Sequence, residues 1–454
     1  MSMTGMRRVL GLPSVASIAI GATVGGGVFV MTGIVLKIAG PALPLAYGLA
    51  VIPVFISMLP LAMLGSALPV TGGNYRYPSR MVSPGLAFVG LWVYILASFI
   101  GQIPLYAIAC ARYARVFFPA VPLELFAVGL LTFFFVINLL GIRLAVQVQG
   151  IMVLVLIAAL AAYAAKGATV IRPEHFQGFL QAGAGNILLG TALLTFTYFG
   201  SNGIIELGGE IRDPGRVIPR ALVISFSLVA LIYVAVAVTT VGIAPWRELA
   251  ACPEPLIRGS GICFGGTGAG FGFFIIGGAI LAITTTLNAL FMVGTRSLQV
   301  IIRDRILPAG LGRVHPRFGS AYILLAIIWA LSIVGTLSGL SLETFANYAA
   351  LGSMIVFVPV LASSMLLPRR YPERYRASVF RLAGFWLYFC PAVGFAMVLF
   401  FSAVILSEMK SFLETSFFFM FILSGIGYYA LRRRWLLSKG IRLDDVMKEE
   451  TWTD

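Results

Sequence analysis

The chain has 454 residues, 59% of them hydrophobic and only 11% charged, with a mean hydropathy of +0.98. That composition excludes an ordinary soluble domain and marks an integral membrane protein. The formal net charge of +15 is not a nucleic-acid signal, because the basic residues follow the connections between apolar segments.

Twelve apolar stretches of spanning length are centred near residues 26, 56, 100, 131, 155, 197, 232, 287, 330, 355, 393 and 424. Each is far longer than a barrel strand and none alternates, so all twelve are expected to be helices of an all-α membrane protein. The first runs from about Pro13 to Ala39 and carries Ile20-Gly21-Ala22-Thr23-Val24-Gly25-Gly26-Gly27-Val28-Phe29 near its middle. Consecutive glycines weaken a helix there. Broken backbone at membrane depth is tolerated only against protein or a water-filled cavity. Two readings follow: a polar ligand bound halfway across, as in secondary transporters, or a small-residue packing face.

The connections are too short to fold alone. With the N-terminus cytoplasmic, the inner connections and tails hold Arg7, Arg8, Arg76, Arg80, Arg143, Arg212, Arg216, Arg220, the cluster Arg296 to Arg317, the cluster Arg369 to Arg381, and Arg432 to Lys448. This positive-inside bias places both termini in the cytoplasm and the protein in the plasma membrane, the inner membrane of a bacterium. No cleavable signal peptide is evident. Cys110 and Cys390 read as apolar fillers. Cys252 and Cys263 share an outer connection, where a disulfide remains an open alternative.

A second interruption, Phe199-Gly200-Ser201-Asn202-Gly203, falls in the sixth segment. Breaks in segments 1 and 6 lie five helices apart, and an odd number inverts the second unit relative to the first. That is the pattern of an inverted-repeat transporter. The expected organisation is a cytoplasmic N-terminus (1–12), a first repeat of five helices (13–165), a second (186–367), two further helices (380–436) and a cytoplasmic tail (437–454).

Four stretches together resemble the amino acid–polyamine–organocation transporters, which share the LeuT-type fold. Ile20-Gly21 to Phe29 is similar to that family's IGxxIGxGIF. Pro69-Val70-Thr71-Gly72-Gly73-Asn74-Tyr75-Arg76-Tyr77 is similar to PxxGGxYxY. Phe196-Thr197-Tyr198-Phe199-Gly200-Ser201-Asn202 with Glu210 to Arg220 is similar to FxYxGxN followed by ExxxPxRxIPR. Arg303-Asp304-Arg305-Ile306-Leu307-Pro308 and His315-Pro316-Arg317-Phe318-Gly319 are similar to RDGxLP and HPxxG. The likeness covers residues 13 to 320. It departs at Ser201, usually aromatic, at Gly209, often Glu, and at Arg305, commonly Gly.

The resemblance implies a permease for amino acids working by alternating access. A zwitterion needs donors for its carboxylate, and the N–H groups of Gly25, Gly26 and Gly27 at a half-helix N-terminus supply them. Carbonyls of Thr23, Phe196, Thr197 and Phe199 are the implied acceptors, Phe196 the implied aromatic lid, and Ser201 and Asn202 further pocket residues. Asn202 reads equally as a helix cap. Ser98 and Gln102 are possible pocket residues or packing contacts. Carbonyls of Gly21 and Val24 with the hydroxyls of Thr285 and Thr286 match a Na+ site of this fold. The hydroxyls alone read equally as bonds to the preceding turn. Related proton-coupled or exchanging members carry a lysine where this chain has Leu156, which favours Na+ symport over proton coupling or exchange. Glu210 and Arg296 are the implied inner gate. Glu206 is the remaining acid near the path and has no counterpart in the family pattern.

Helices 1, 3 and 10 show no buried acid, so a neutral amino acid is the expected substrate. The other expected partner is the lipid bilayer. No enzyme is expected, since no HExxH, paired carboxylates or Cys/His cluster occurs, and no resident cofactor or nucleic-acid partner. A channel or an amino-acid sensor are the alternatives of a different class. The sequence is silent on oligomeric state.

Overall fold

The computed structural model describes residues 8–449 except Pro253, Thr267 and Lys410, and gives the backbone alone at Gly26, Val30, Phe196, Glu408, Asp444, Lys448 and Glu449. The ends of the expected terminal segments, 1–7 and 450–454, lie outside the described residues. Helices make up the architecture because a chain in lipid must satisfy its backbone within each segment. The described residues contain no strand, only isolated bridges at Leu10–Ile211 and Thr71–Leu207.

Crossing 1 consists of α1 (Leu12–Thr23) and α2 (Gly26–Ala39), and crossing 2 is α3 (Leu43–Ala67), followed by a short α4 (Gly73–Met81). Crossing 3 joins α5 (Pro84–Ile95) to α6 (Ile103–Ala114) through a π-helical stretch, Leu96–Gln102. Crossings 4 and 5 are α7 (Leu123–Leu139) and α8 (Ile142–Ala168). Crossing 6 begins as α9 (Gly183–Thr195) and tightens into a 3₁₀ helix, Phe196–Glu206. Crossing 7 is α10 (Pro214–Ile243), and α11 (Trp246–Ala251) and α12 (Pro255–Phe264) fill the long connection after it. Crossing 8 runs through α13 (Ala269–Phe273), a second π-helical stretch, Phe274–Ile280, and α14 (Leu281–Arg303). Then follow α15 (Tyr322–Leu337), α16 (Leu342–Arg370), a short α17 (Pro372–Ala377), α18 (Phe385–Glu408) and α19 (Phe412–Ser438). Ten described stretches have the length and hydropathy to span a bilayer, and the shorter apolar helices α7 and α15 bring the crossings to twelve.

The crossings are not equivalent. Crossing 8 buries 72% of its most apolar window inside the protein and α19 only 11%. Crossing 8 is therefore central, and α19 lies at the periphery with its apolar side chains left for lipid. Crossings 1 and 6 are both interrupted near mid-length, as the glycines predicted, but in different ways. The first opens at Val24-Gly25 between two helices. The second does not unwind and instead narrows to three residues per turn.

Cys252 and Cys263 are free thiols, so the open question of a disulfide is decided against it. Cys252 caps the end of α11, where its thiol donates to the Glu248 carbonyl, while Cys263 is buried on the next helix, α12.

Candidate functional site

The two interruptions face each other across a cavity of about 70 Å³. Its walls are Ala22, Thr23 and Gly27 of crossing 1, Thr197, Phe199, Gly200, Asn202, Gly203 and Ile204 of crossing 6, and Thr286 and Val293 of crossing 8, among others. Crossing 3 adds Tyr94, Gln102 and Tyr106, and α16 adds Ser353. Among the described residues no lining residue is charged. Two crossings approach this closely because glycine stands at the contact. A Cβ on Gly200 would collide with the Ala22 carbonyl, and one on Gly25 with the Thr286 hydroxyl.

At the first break α2 begins at Gly26 with Gly25 as its cap residue, and no side chain satisfies its first N–H groups. Those donors and the positive end of the helix dipole are directed to mid-membrane, where they suit an anionic group. The expected acceptors are placed differently. Tyr233 of α10 donates its hydroxyl to the Thr23 carbonyl at 2.8 Å and also lies 3.4 Å from the Thr197 carbonyl. One phenol thus braces both breaks. Each carbonyl has a second lone pair and keeps some accepting capacity.

Tyr233 packs in a buried tyrosine cluster. Its ring centroid lies 5.0 Å from that of Tyr198 and 5.3 Å from that of Tyr47, and Thr32 bonds the Tyr47 hydroxyl at 2.8 Å. These residues belong to crossings 1, 2, 6 and 7. Sequence reasoning missed the cluster, since scattered tyrosines in apolar segments read as core.

Ser201 does not reach the cavity. It is buried outside the lining, and its hydroxyl has no partner. In a 3₁₀ helix residues three apart eclipse, so Ser201 shares the row of Tyr198 and turns away while Gly200, Asn202 and Gly203 face inward. Asn202 lines the cavity and does not begin a helix, which removes the capping reading. The Phe196 side chain, expected as the lid, lies outside the described ones, as do the surroundings of Gly26. Gln102 lines the cavity and reaches Ser353 at 3.4 Å, whereas Ser98 is buried elsewhere. The π-helical stretch that ends at Gln102 gave no sequence signal.

The residues of the expected cation site are neighbours in part. Thr286 donates to the Gly21 carbonyl at 3.0 Å and Thr285 to the Ala282 carbonyl at 2.8 Å, and Thr285 also lies against Gly21. Gln149 of α8 presses its amide nitrogen against Gly21 as well. Its orientation is fixed by a chain of amides. Asn138 donates to the Phe134 carbonyl and to Asn288, and Asn288 donates to the Ala145 carbonyl and to the Gln149 oxygen. Leu156 is fully buried. The chain ties crossings 4, 5 and 8 as the tyrosines tie 1, 2, 6 and 7.

Toward the end of the bundle where the described chain begins and ends, the side of the termini, Arg296 of α14 pairs with Glu210 at 2.6 Å. Val9 and Leu10 bond the Glu210 carbonyl, and Arg212 returns to Leu10. A larger cavity of about 540 Å³ lies beside this pair, lined by Asn138, Arg143, Glu210, Arg296, Gln299 and Arg317.

Twelve membrane crossings enclosing an uncharged, solute-sized cavity between two interrupted helices define a membrane transporter. The sequence profile of the amino acid permease family matches residues 10–429, and the chain belongs to that family. It is 25% identical to the branched-chain amino acid permease of Bacillus subtilis (strain 168) over 395 residues, 82% of this chain and 83% of that one. It is 24% identical to the methylthioribose transporter of the same organism, over 81% of this chain and 83% of the relative. The cationic amino acid transporter 3, mitochondrial, of Arabidopsis thaliana is 25% identical over 69% of this chain and 54% of its own length. These relatives are transporters and not enzymes.

Proposed function

We propose that this permease carries a neutral α-amino acid across the plasma membrane by alternating access, driven by Na+. The observation that carries the substrate class is the absence of any charged residue among the described residues that line the central cavity. A cationic side chain there would be desolvated without a counter-charge. The volume holds roughly five waters at about 10–15 Å³ each, which suits an amino-acid backbone with a small aliphatic side chain. The N–H groups of Gly25, Gly26 and Gly27 receive the carboxylate. The second lone pairs of the Thr23 and Thr197 carbonyls, the Phe199 carbonyl and Asn202 receive the ammonium.

The proposed mechanism moves crossings 1, 2, 6 and 7 as one body against 3, 4, 8 and 9, residues 13–165 and 186–367 forming two inverted repeats. The tyrosine cluster, within the first body, and the amide chain, which ties 4 and 8 to crossing 5, support that division, since neither links the two bodies. Glu210–Arg296 joins the two bodies and closes the path on the side of the termini, proposed as cytoplasmic from the basic connections. Na+ sits among the Gly21 and Val24 carbonyls and the Thr285 and Thr286 hydroxyls. Both hydroxyls already donate to carbonyls and leave lone pairs for a hard cation. The neighbouring side chains Gln149 and Leu156 bring no positive charge of their own.

Uptake of labelled neutral amino acids into proteoliposomes tests both parts. Saturable uptake that collapses when choline replaces Na+ is expected. Unchanged uptake removes the coupling ion and leaves the permease reading intact. Amino-acid binding without flux overturns transport itself.

A further inference from the structure

Three buried carboxylates lie where the bundle closes on the side of the termini, and they are not alike. Asp304, 1% exposed, takes both guanidinium nitrogens of Arg80 at 2.6 Å and the Tyr75 hydroxyl at 2.7 Å. Glu210 has Arg296. Glu206 is 2% exposed, and among the described residues its two oxygens meet neutral donors alone: the Asn74 N–H at 2.8 Å and the Ser297 hydroxyl at 2.5 Å. Its backbone carbonyl also accepts the Gly72 N–H at 3.0 Å.

Those partners come from different bodies. Glu206 ends the 3₁₀ stretch of crossing 6, Ser297 lies on α14, and Gly72 and Asn74 lead into and begin α4. One carboxylate therefore fastens crossing 6 to α4 and to α14, and α14 belongs to the opposite body of the proposed mechanism.

The charged groups around it are already engaged. Arg296, next to Ser297, is held by Glu210, and Arg80 by Asp304. On α4 the Tyr75 hydroxyl serves Asp304, the Tyr77 hydroxyl donates to the Leu68 carbonyl, and buried Arg76 has partners of its own. Tyr94 of α5 faces the central cavity. A buried carboxylate whose own hydrogen-bond partners are all neutral is held as an anion by those bonds, the dipole of α4 and the more distant charge of Arg296.

We propose that Glu206 is a proton-binding site that sets the opening of the permease toward the side of the termini. The carboxylate form holds α4 and α14 through charge-assisted hydrogen bonds. Burial without a counter-charge of its own costs the anion more than those bonds return, and a proton removes that cost, so the closed state gains population as pH falls and the open state as pH rises. The site is closed to solvent in the latched state and gives up its proton when opening hydrates the carboxyl group.

The inference rests on the transport reading, and the test separates the two. The full-length protein is reconstituted, and exchange of a labelled neutral amino acid is measured with equal pH on both faces, so that no proton gradient contributes. Native exchange rises about fivefold between about pH 6 and pH 8, because the anion is stabilised by the water it meets when the latch opens. Glu206→Gln keeps both hydrogen bonds without a charge, and its profile is flat at the native low-pH level. Glu248→Gln, which loses only an exposed pair with Arg258 away from the gate, retains the native pH slope. Equilibrium binding of the same amino acid verifies that each variant is folded. Coincident profiles for native protein and Glu206→Gln, or a native profile without slope, overturn the proposal, whereas native protein without any exchange overturns the transport reading.

Discussion

Replacing Gly200 with alanine adds one methyl group where the two broken crossings touch. The atoms it would meet are backbone: the carbonyl of Ala22, and the Thr23 nitrogen at 2.6 Å from the added Cβ. A side chain can rotate aside, but two helical backbones cannot, so crossing 1 must part from crossing 6. Overpacking of this kind costs about 1–3 kcal/mol. If the strain falls on the bound state, amino-acid affinity drops between about fivefold and about a hundredfold, at tenfold per 1.4 kcal/mol. Gly203 is the internal control, since it also lines the cavity but a Cβ there meets only Val293, at 3.6 Å. Equilibrium binding in detergent, with uptake in proteoliposomes, reads both variants. Gly203→Ala is expected to bind within about twofold of native, as surface-like changes do. Native affinity and uptake in Gly200→Ala would refute the argument that the contact of the two crossings shapes the site.

Tyr233→Phe leaves the buried Thr23 and Thr197 carbonyls without their shared donor. It is expected to cost about 1–3 kcal/mol, seen as a lower unfolding midpoint together with weaker amino-acid binding. Arg296→Ala strands Glu210 in a largely buried setting, where breaking a pair costs about 3–5 kcal/mol. The side of the termini should then stay open, with a cysteine placed at Gln299 labelling faster than in the native background. Arg80→Ala unpairs Asp304, the most buried acid of this region, and should lower protein yield and stability more than Arg258→Ala, whose pair with Glu248 is exposed. Gly25→Ala drives a methyl into the Thr286 hydroxyl and should weaken both amino-acid binding and any Na+ dependence of it.

The sequence alone determined the solvent, the number of crossings and the places where helices fail. Each is written locally: runs of apolar residues long enough to span lipid, and glycines that weaken the helix at Gly25 and Gly200. Glu210 and Arg296 were legible through the family resemblance of the stretch that carries Glu210, and the structure pairs them at 2.6 Å. Only the tertiary structure decided which way side chains face. Ser201 belongs to the right stretch, yet the change from 3.6 to three residues per turn rotates it out of the cavity. The bridging Tyr233 and the amide chain from Asn138 to Gln149 join residues far apart in sequence, and nothing in the pattern of one segment specifies its partner in another. Glu206 shows the same division. Its presence is plain in the sequence, but that its partners are neutral while Glu210 and Asp304 hold arginines depends on how α4, the 3₁₀ stretch and α14 pack together.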